Sequence, residues 1–237
     1  MRVLGNALSI LGREAVRIVL PAWCVGCAGE LPWSDRTTSC CARCWAALPR
    51  IAGTKCRSCA LPIPDGEHCL NCLRDPLPLD WCEAWGHYRG TLERVLHALK
   101  FERHDFYDAP LAQLLDSVMR DRDFDLVLSV PMTAAKERRR GYNQAELLAR
   151  ALAARIGVRC DPALLIKRAE REAQSKLRRA ARTVNVRGLF AASPRVAARK
   201  VLLVDDICTT GATLRACAAA LRMEEAARVC AIAVARA

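Results

Sequence analysis

Four Cys-x-x-Cys pairs follow one another in the first third of the chain: Cys24/Cys27, Cys41/Cys44, Cys56/Cys59 and Cys69/Cys72. Each pair is a knuckle that turns two sulfurs toward one point, and two knuckles close a tetrahedral four-thiolate site. The spacers of 13 residues between Cys27 and Cys41 and of nine between Cys59 and Cys69 suit two successive zinc ribbons. Four thiolates leave no open coordination position, so two structural rather than catalytic Zn²⁺ ions are expected. A segment this small buries too little apolar surface to fold alone and draws its folding energy from the metal. Cys40 adjoins Cys41 and rivals it as a ligand, and an iron–sulfur cluster would accept the same four thiolates. His68, beside Cys69, is read as a bystander. Disulfides would require an oxidising compartment.

Ahead of these pairs, residues 1–20 are apolar at helical spacing (Leu4, Leu8, Leu11, Ala15, Ile18) but are interrupted by Arg13, Glu14 and Arg17. The apolar runs are too short to span a bilayer, and a compact apolar stretch with a cleavage site is missing. An amphipathic N-terminal helix is expected, with attachment to a membrane surface as the lesser alternative. The chain is accordingly placed in the reducing cytoplasm with no stable membrane span.

Composition then divides the remainder. Residues 21–75 hold the cysteine pairs, Pro76 and Pro78 mark a linker or domain edge, and from Cys82 onward strands alternate with helices. Strand patterns fall at Cys82–Tyr88, Leu126–Val130, Val201–Val204 and Val229–Val234. Helical spacing covers Thr91–Leu99, Ala109–Met119, Asn143–Ile156 and Thr213–Met223, and the stretch after Val130 reads as a basic loop. Alternation of this kind predicts an α/β fold over 82–237, a mainly parallel sheet with helices on both faces. Thirty-seven Lys and Arg against 25 Asp and Glu leave +12, which favours polyanionic partners, whereas 5% aromatics is thin for base stacking.

Chemistry concentrates where Val201-Leu-Leu-Val runs straight into Asp205-Asp206 and then into Ile-Cys-Thr209-Thr210-Gly211-Ala212-Thr213. In a parallel sheet this junction lies at the carboxyl edge, where ligands bind. Gly211 lets a backbone approach closely, and the free N–H groups of a helix start favour a phosphate. Thr209, Thr210 and Thr213 add hydroxyls. Asp205 and Asp206 suit sugar hydroxyls and a bridging Mg²⁺. Together these residues describe a site for a 5-phosphorylated sugar. A simple helix cap explains one Asp and one Thr, but not two carboxylates ending an apolar strand.

This segment resembles the phosphoribosyl pyrophosphate (PRPP) motif of type I phosphoribosyltransferases. Together with the cysteine pairs, the chain from about Leu20 is similar to the ComF family of double-zinc-ribbon competence proteins. Two further stretches carry the likeness: Val130-Pro131 leading to Arg138-Arg139-Arg140-Gly141-Tyr142-Asn143-Gln144, and Gln174 to Phe190 with Leu177, Arg182, Asn185, Val186 and Gly188. The resemblance implies a Rossmann-like core behind a small double zinc ribbon. Asp205 and Asp206 would be the catalytic pair, and Thr209, Thr210, Gly211, Ala212 and Thr213 would hold the 5-phosphate. Arg138, Arg139, Arg140 and Lys100 would face pyrophosphate with Mg²⁺, and Gln174, Arg182 and Asn185 would belong to a lid. Departures from the family's pattern are Thr133 to Glu137, where more basic or His residues are usual, and Tyr142 in place of Phe.

By that resemblance, a ComF-like phosphoribosyltransferase-type protein that binds PRPP or ribose 5-phosphate and acts in natural competence, handling incoming single-stranded DNA, is expected. Two alternatives stand beside it. One is a non-catalytic adaptor that senses PRPP or a nucleotide and contacts DNA or a helicase-like partner. The other is a salvage enzyme acting on a nucleobase or amine. The ten Lys and Arg between 167 and 199 serve either a lid or a DNA-facing surface. Cys208, inside the turn, is read as a small filler, and His87, His97 and His104 as incidental.

Overall fold

A five-stranded, wholly parallel sheet carries the C-terminal two thirds of the chain. The computed structural model describes residues 22–32, 39–101, 107–168 and 188–237. The N-terminal helix expected over 1–20 therefore lies outside the described residues. Two compact units emerge, one drawn from Met1–Pro49 with Arg89–Tyr107, the other from Arg50–Tyr88 with Asp108–Ala237. The first two cysteine pairs fall in the former and the last two in the latter.

In the first unit, α1 (Ala42–Ala46) starts from Cys41, and α3 (Gly90–Phe101) buries Leu92, Val95, Leu96, Ala98 and Leu99 on one face. The knuckle at Cys24–Cys27 comes so close to α3 that a Cβ on Gly26 would lie 2.9 Å from a methyl of Thr91 and 2.8 Å from the Cys44 sulfur. Only glycine fits there. Trp45 stacks on Tyr107 with the rings 2° from parallel.

In the second unit, β1 (Trp81–His87), β2 (Leu126–Ser129), β3 (Arg159–Cys160), β6 (Lys200–Cys208) and β7 (Arg228–Arg236) form the sheet, in the order β1-β7-β6-β2-β3. Near-continuous Val, Leu, Ile and Ala runs match strands covered on both faces. Residues of one parity, Cys82, Ala84, Leu128, Leu203, Ala231 and Ala233, share a core with Leu214, Cys217 and Leu221 of α7 (Ala212–Met223) and with Cys56, Cys59, Cys69 and Cys72. The second cysteine cluster is thus part of the sheet's own core, with α2 (Leu70–Arg74) starting from Cys69 and carrying Cys72. On the other side α4 (Asp108–Asp116) packs with α6 (Gln144–Ile156). A small antiparallel pair, β4 (Leu165–Lys167) with β5 (Phe190–Ala192), completes the unit.

The basic stretch after β2 departs from the expected loop, because it contains α5 (Ala134–Arg140). Thr133 accepts the Lys136 N–H as its cap, Ala, Lys, Glu and Arg are strong helix formers, and Gly141 at φ +91° stops the helix. By contrast α6 has the bounds its sequence signals give, with the Asn143 side chain accepting from Ala145 N and Gly157 left-handed at its end.

The strand starts are pinned by Asp121, which accepts a bidentate pair from Arg228 (3.0 and 2.7 Å) and the Trp81 indole N–H (3.1 Å). Burial alone would raise its pKa, but Arg228 and Trp81 outweigh that and lower it. A carboxylate with a lowered folded pKa contributes stability above its unfolded value, near 3.9, and loses it as pH falls through the folded one. Asp121→Asn is therefore expected to cost about 1–2 kcal/mol at pH 7. In denaturant titrations across pH, that difference from wild type should shrink steadily below about pH 4.

Candidate functional site

The sheet order places a topological switch point between β6 and β2. From β2 the chain crosses by α6 to β3 on one side, and from β6 it crosses by α7 to β7 on the other. Ligands of open α/β sheets bind in the crevice at such a point, outside the carboxyl ends of the strands. Both neighbouring strands turn polar toward this edge. β2 runs into Ser129 and β6 into Asp205 and Asp206, and these three are buried.

The turn that follows is exposed at Thr209 and Thr210 and buried at Gly211. Gly211 caps α7 at φ +77°, and the Thr210 hydroxyl accepts from Ala212 N at 3.3 Å. Ala212 and Thr213 are exposed on the first turn of α7, so the helix start presents its N–H groups to solvent. Asp205 Oδ1 accepts the Asp206 N–H at 2.9 Å, which fixes that carboxylate against its own backbone. The Gln144 amide donates to Asp206 Oδ1 at 3.3 Å, and its carbonyl accepts from Arg140. Asn143 Nδ2 donates to the Val130 carbonyl at 3.0 Å, folding the end of the basic stretch back onto β2. A polar chain, Arg140–Gln144–Asp206, buried at Gln144 and Asp206, thus bridges the switch point.

The structure brings together Asp205, Asp206, Thr209, Thr210, Gly211, Ala212, Thr213 and Arg140. Arg138 and Arg139 are exposed on the last turn of α5. Lys100 lies on α3 in the other unit. Gln174, Arg182 and Asn185 lie outside the described residues. Sequence reasoning misses Gln144 as a site residue. The signal for it is its place at the first position of α6, directly after the capping Asn143, where a buried polar side chain has to find partners. Cys208 is buried and points away from the turn's exposed side, with its sulfur 3.9 Å from the Cys59 carbonyl. A hydrogen bond with Cys82 lowers its pKa against the effect of burial, and the same contact together with burial pushes Cys82 well up. His87 closes β1, and His97 packs on Phe101 within α3.

Two four-cysteine clusters make up the other candidate centres: Cys24, Cys27, Cys41 and Cys44, and Cys56, Cys59, Cys69 and Cys72. In each, all sulfurs lie within 4.8 Å of one another. Cys41, not Cys40, joins the first cluster. Backbone N–H groups of Gly26 and Cys41 each point at the Cys24 sulfur from 3.3 Å. Burial pushes that thiol up, yet N–H donors from Cys41, Cys27 and Gly26 bring it down to about 6. Cys56 likewise falls to about 6 through Cys69, Ser58 and Cys59 despite its burial. Burial and then sulfur neighbours hold Cys44 up at about 12. A closed set of sulfurs with N–H support for thiolate and mutual repulsion among its members fits Zn²⁺, whose binding would expel the remaining protons.

Residues 139–237 match the phosphoribosyl transferase domain model, and residues 15–73 the double zinc ribbon domain. The chain is 30% identical over 221 residues to the DNA utilization protein YhgH of Salmonella typhimurium, covering 90% of this chain and 96% of that one. It is 32% identical over 169 residues to competence protein F of Haemophilus influenzae, covering 66% and 72%. To competence protein ComFC of Bacillus subtilis it is 29% identical over 184 residues, covering 73% and 74%. Among the described residues no helix is long and apolar enough to cross a membrane.

Elemental analysis of the purified chain should find two zinc ions. Cys41→Ser should retain one and Cys40→Ser both. The reverse pattern would exchange the roles of the two residues.

Proposed function

The chain belongs to the ComF family of competence and DNA-utilization proteins with a phosphoribosyltransferase-type domain, and we propose that its switch-point crevice binds Mg²⁺-complexed PRPP or a related ribose 5-phosphate. The observation that supports this most directly is the pair of buried carboxylates near the end of β6, with the left-handed Gly211 and the start of α7 five residues further on. Backbone N–H groups of residues 210–213 and the Thr209, Thr210 and Thr213 hydroxyls surround a 5-phosphate, where the helix dipole favours the anion. Asp205 and Asp206 accept hydrogen bonds from the ribose 2- and 3-hydroxyls, and Gln144 holds the Asp206 carboxylate at the required angle.

Mg²⁺ fits the hard oxygen donors here and, when bound, would neutralise charge on the pyrophosphate. Displacement breaks the bond between the anomeric carbon and the pyrophosphate oxygen. The leaving group departs with the bonding electrons, and the acceptor's lone pair forms the new bond to carbon as its proton passes to solvent or to a nearby carboxylate. The transition state carries positive charge on the sugar, which the two aspartates stabilise, while Arg140 lies on the side where negative charge leaves. Gln174, Arg182 and Asn185 are proposed to close over the bound sugar and exclude water. Arg138 and Arg139, exposed on α5, extend the positive side of the crevice. The names of the relatives support a setting in competence and DNA utilization; to that setting the reading adds the cytoplasm, with single-stranded DNA and a helicase-like protein as partners.

Titration calorimetry of the zinc-loaded protein should show PRPP binding that strengthens with Mg²⁺. Asp205→Asn with Asp206→Asn should weaken it by about tenfold or more, the loss of one to two charge-assisted hydrogen bonds. Pyrophosphate release with some nucleobase or amine acceptor marks an enzyme. Tight binding without turnover across the acceptor screen marks the sensing adaptor. Amide resonances of Thr209 to Thr213 that stay unmoved at saturating PRPP would sink the assignment.

A further inference from the structure

Away from the crevice, a cavity of about 290 Å³ opens beside the outer edge of β1. β1 is an edge strand of the sheet, and residues 50–57 run along its free side. Ile51 N donates to the Trp85 carbonyl at 3.0 Å, and Cys82 N donates to the Arg57 carbonyl at 2.7 Å. Between these two bonds the chain swings outward, with Gly53 left-handed at φ +77°, and the space it leaves is the cavity.

Three cations line it: Lys55, Arg57 and Arg120. Lys55 and Arg120 are placed by Glu83, a β1 side chain only 5% exposed. Arg120 Nε donates to Glu83 Oε1 at 2.7 Å, and Lys55 pairs with Oε2 while donating to the Ala84 carbonyl at 3.2 Å. Arg57 Nε donates to the Asp80 carbonyl at 3.3 Å. Each guanidinium is therefore held by its Nε, and among the described residues neither has a partner on its terminal nitrogens. Two forks with their outer N–H groups uncommitted, plus an ammonium, face one small volume. That is the geometry of bidentate phosphate recognition. Three cations against Glu83 and Glu67 leave one positive charge, and both Glu83 oxygens are already engaged. Glu67, exposed on the rim, is left to accept a hydroxyl.

We propose that this cavity is a second anion site, which takes the phosphate monoester of a hydroxylated carrier such as a nucleotide, with phosphate on Arg57, Arg120 and Lys55 and a sugar hydroxyl on Glu67. β7 separates β1 from β6, so the cavity is distinct from the switch-point crevice, and the proposal does not depend on what that crevice binds.

The test titrates the full-length, zinc-loaded chain with deoxyadenosine 5′-monophosphate and with oligothymidylate bearing either a 5′-phosphate or a 5′-hydroxyl. The readout is the amide resonances of Gly53 and Gly66. Saturating shifts with the mononucleotide are expected, weakened about tenfold by Arg57→Gln and unchanged by Asp206→Asn. Arg120→Gln should weaken binding equally but also removes a partner of Glu83, so Arg57→Gln, which leaves that pair intact, is the decisive variant. Binding of the phosphorylated oligonucleotide as well as the mononucleotide supports the site and makes a DNA end its source. Binding of the mononucleotide alone supports it with a small-molecule source. Unmoved resonances, a titration indifferent to Arg57→Gln, or equal binding of the 5′-hydroxyl strand would overturn it.

Discussion

The geometry at the strand ends depends on how the second cysteine ribbon is clamped to α7. Arg215, one turn into that helix, donates to the Asp75 carboxylate at 2.9 Å, to the Asp75 carbonyl at 2.9 Å and to the Pro76 carbonyl at 3.0 Å. Leu77 packs beneath the turn, so that a Cβ on Gly211 would come within 3.1 Å of a Leu77 methyl. The Cys59 carbonyl accepts from Arg236 Nε at 3.0 Å, and Arg236 in turn donates to the Cys208 carbonyl at 3.2 Å. The ribbon therefore holds the turn at Thr209–Gly211 from below at three points. A side chain at position 211 would meet both the left-handed backbone, about 1–2 kcal/mol for a residue with a Cβ, and a neighbour with little room to retreat. In this unit the metal cluster is not an appendage. Its sulfurs lie in the same apolar core as the strand that delivers the two aspartates.

Burying two adjacent carboxylates at the end of an apolar strand is costly unless hydrogen bonds replace water. The parallel topology supplies them with little extra chain. Because β6 and β2 are neighbours whose crossovers leave in opposite directions, the start of α6 comes to rest beside the end of β6. Gln144, the first residue of that helix, then reaches Asp206 across 62 residues of sequence. Asn143 does two jobs at the same place, capping α6 and tying the preceding stretch to Val130. The result is an acid pair whose orientation is set by the protein's own hydrogen bonds.

Much of this is legible in the residues alone, for definite reasons. A run of Val and Leu ending in Asp-Asp and followed by Thr-Thr-Gly specifies strand, turn and helix through local chemistry, and the structure has those three elements in that order. The knuckle spacing likewise selects Cys24, Cys27, Cys41 and Cys44 and their four later counterparts, because a Cys-x-x-Cys turn is a local motif. What cannot be read depends on long-range packing. Nothing local assigns the first two cysteine pairs to a unit with α3 and the last two to the sheet's core, since that choice is made by Thr91 against Gly26 in one case and by Cys82, Leu77 and Arg215 in the other. α5 reads as a loop because its basic residues mask a run of strong helix formers behind a Thr cap. Gln144 escapes notice because its partner is 62 residues distant.

Glu83 presents the same physics without a local signal. A buried carboxylate flanked by Lys55 and Arg120 gives little net stability, because the cost of stripping water from the charges largely offsets their attraction, and an apolar side chain of similar volume would pack as well. An inward charge on an edge strand does discourage another strand from pairing there, but residues 50–57 already cover that edge. What the ion pairs accomplish, and an apolar residue would not, is to fix Lys55 and Arg120 by one end each while their other donors stay turned to open space. Gln144 is held in the same manner between Arg140 and Asp206. In both places polar burial contributes orientation rather than stability, and oriented donors matter only where something is to be bound.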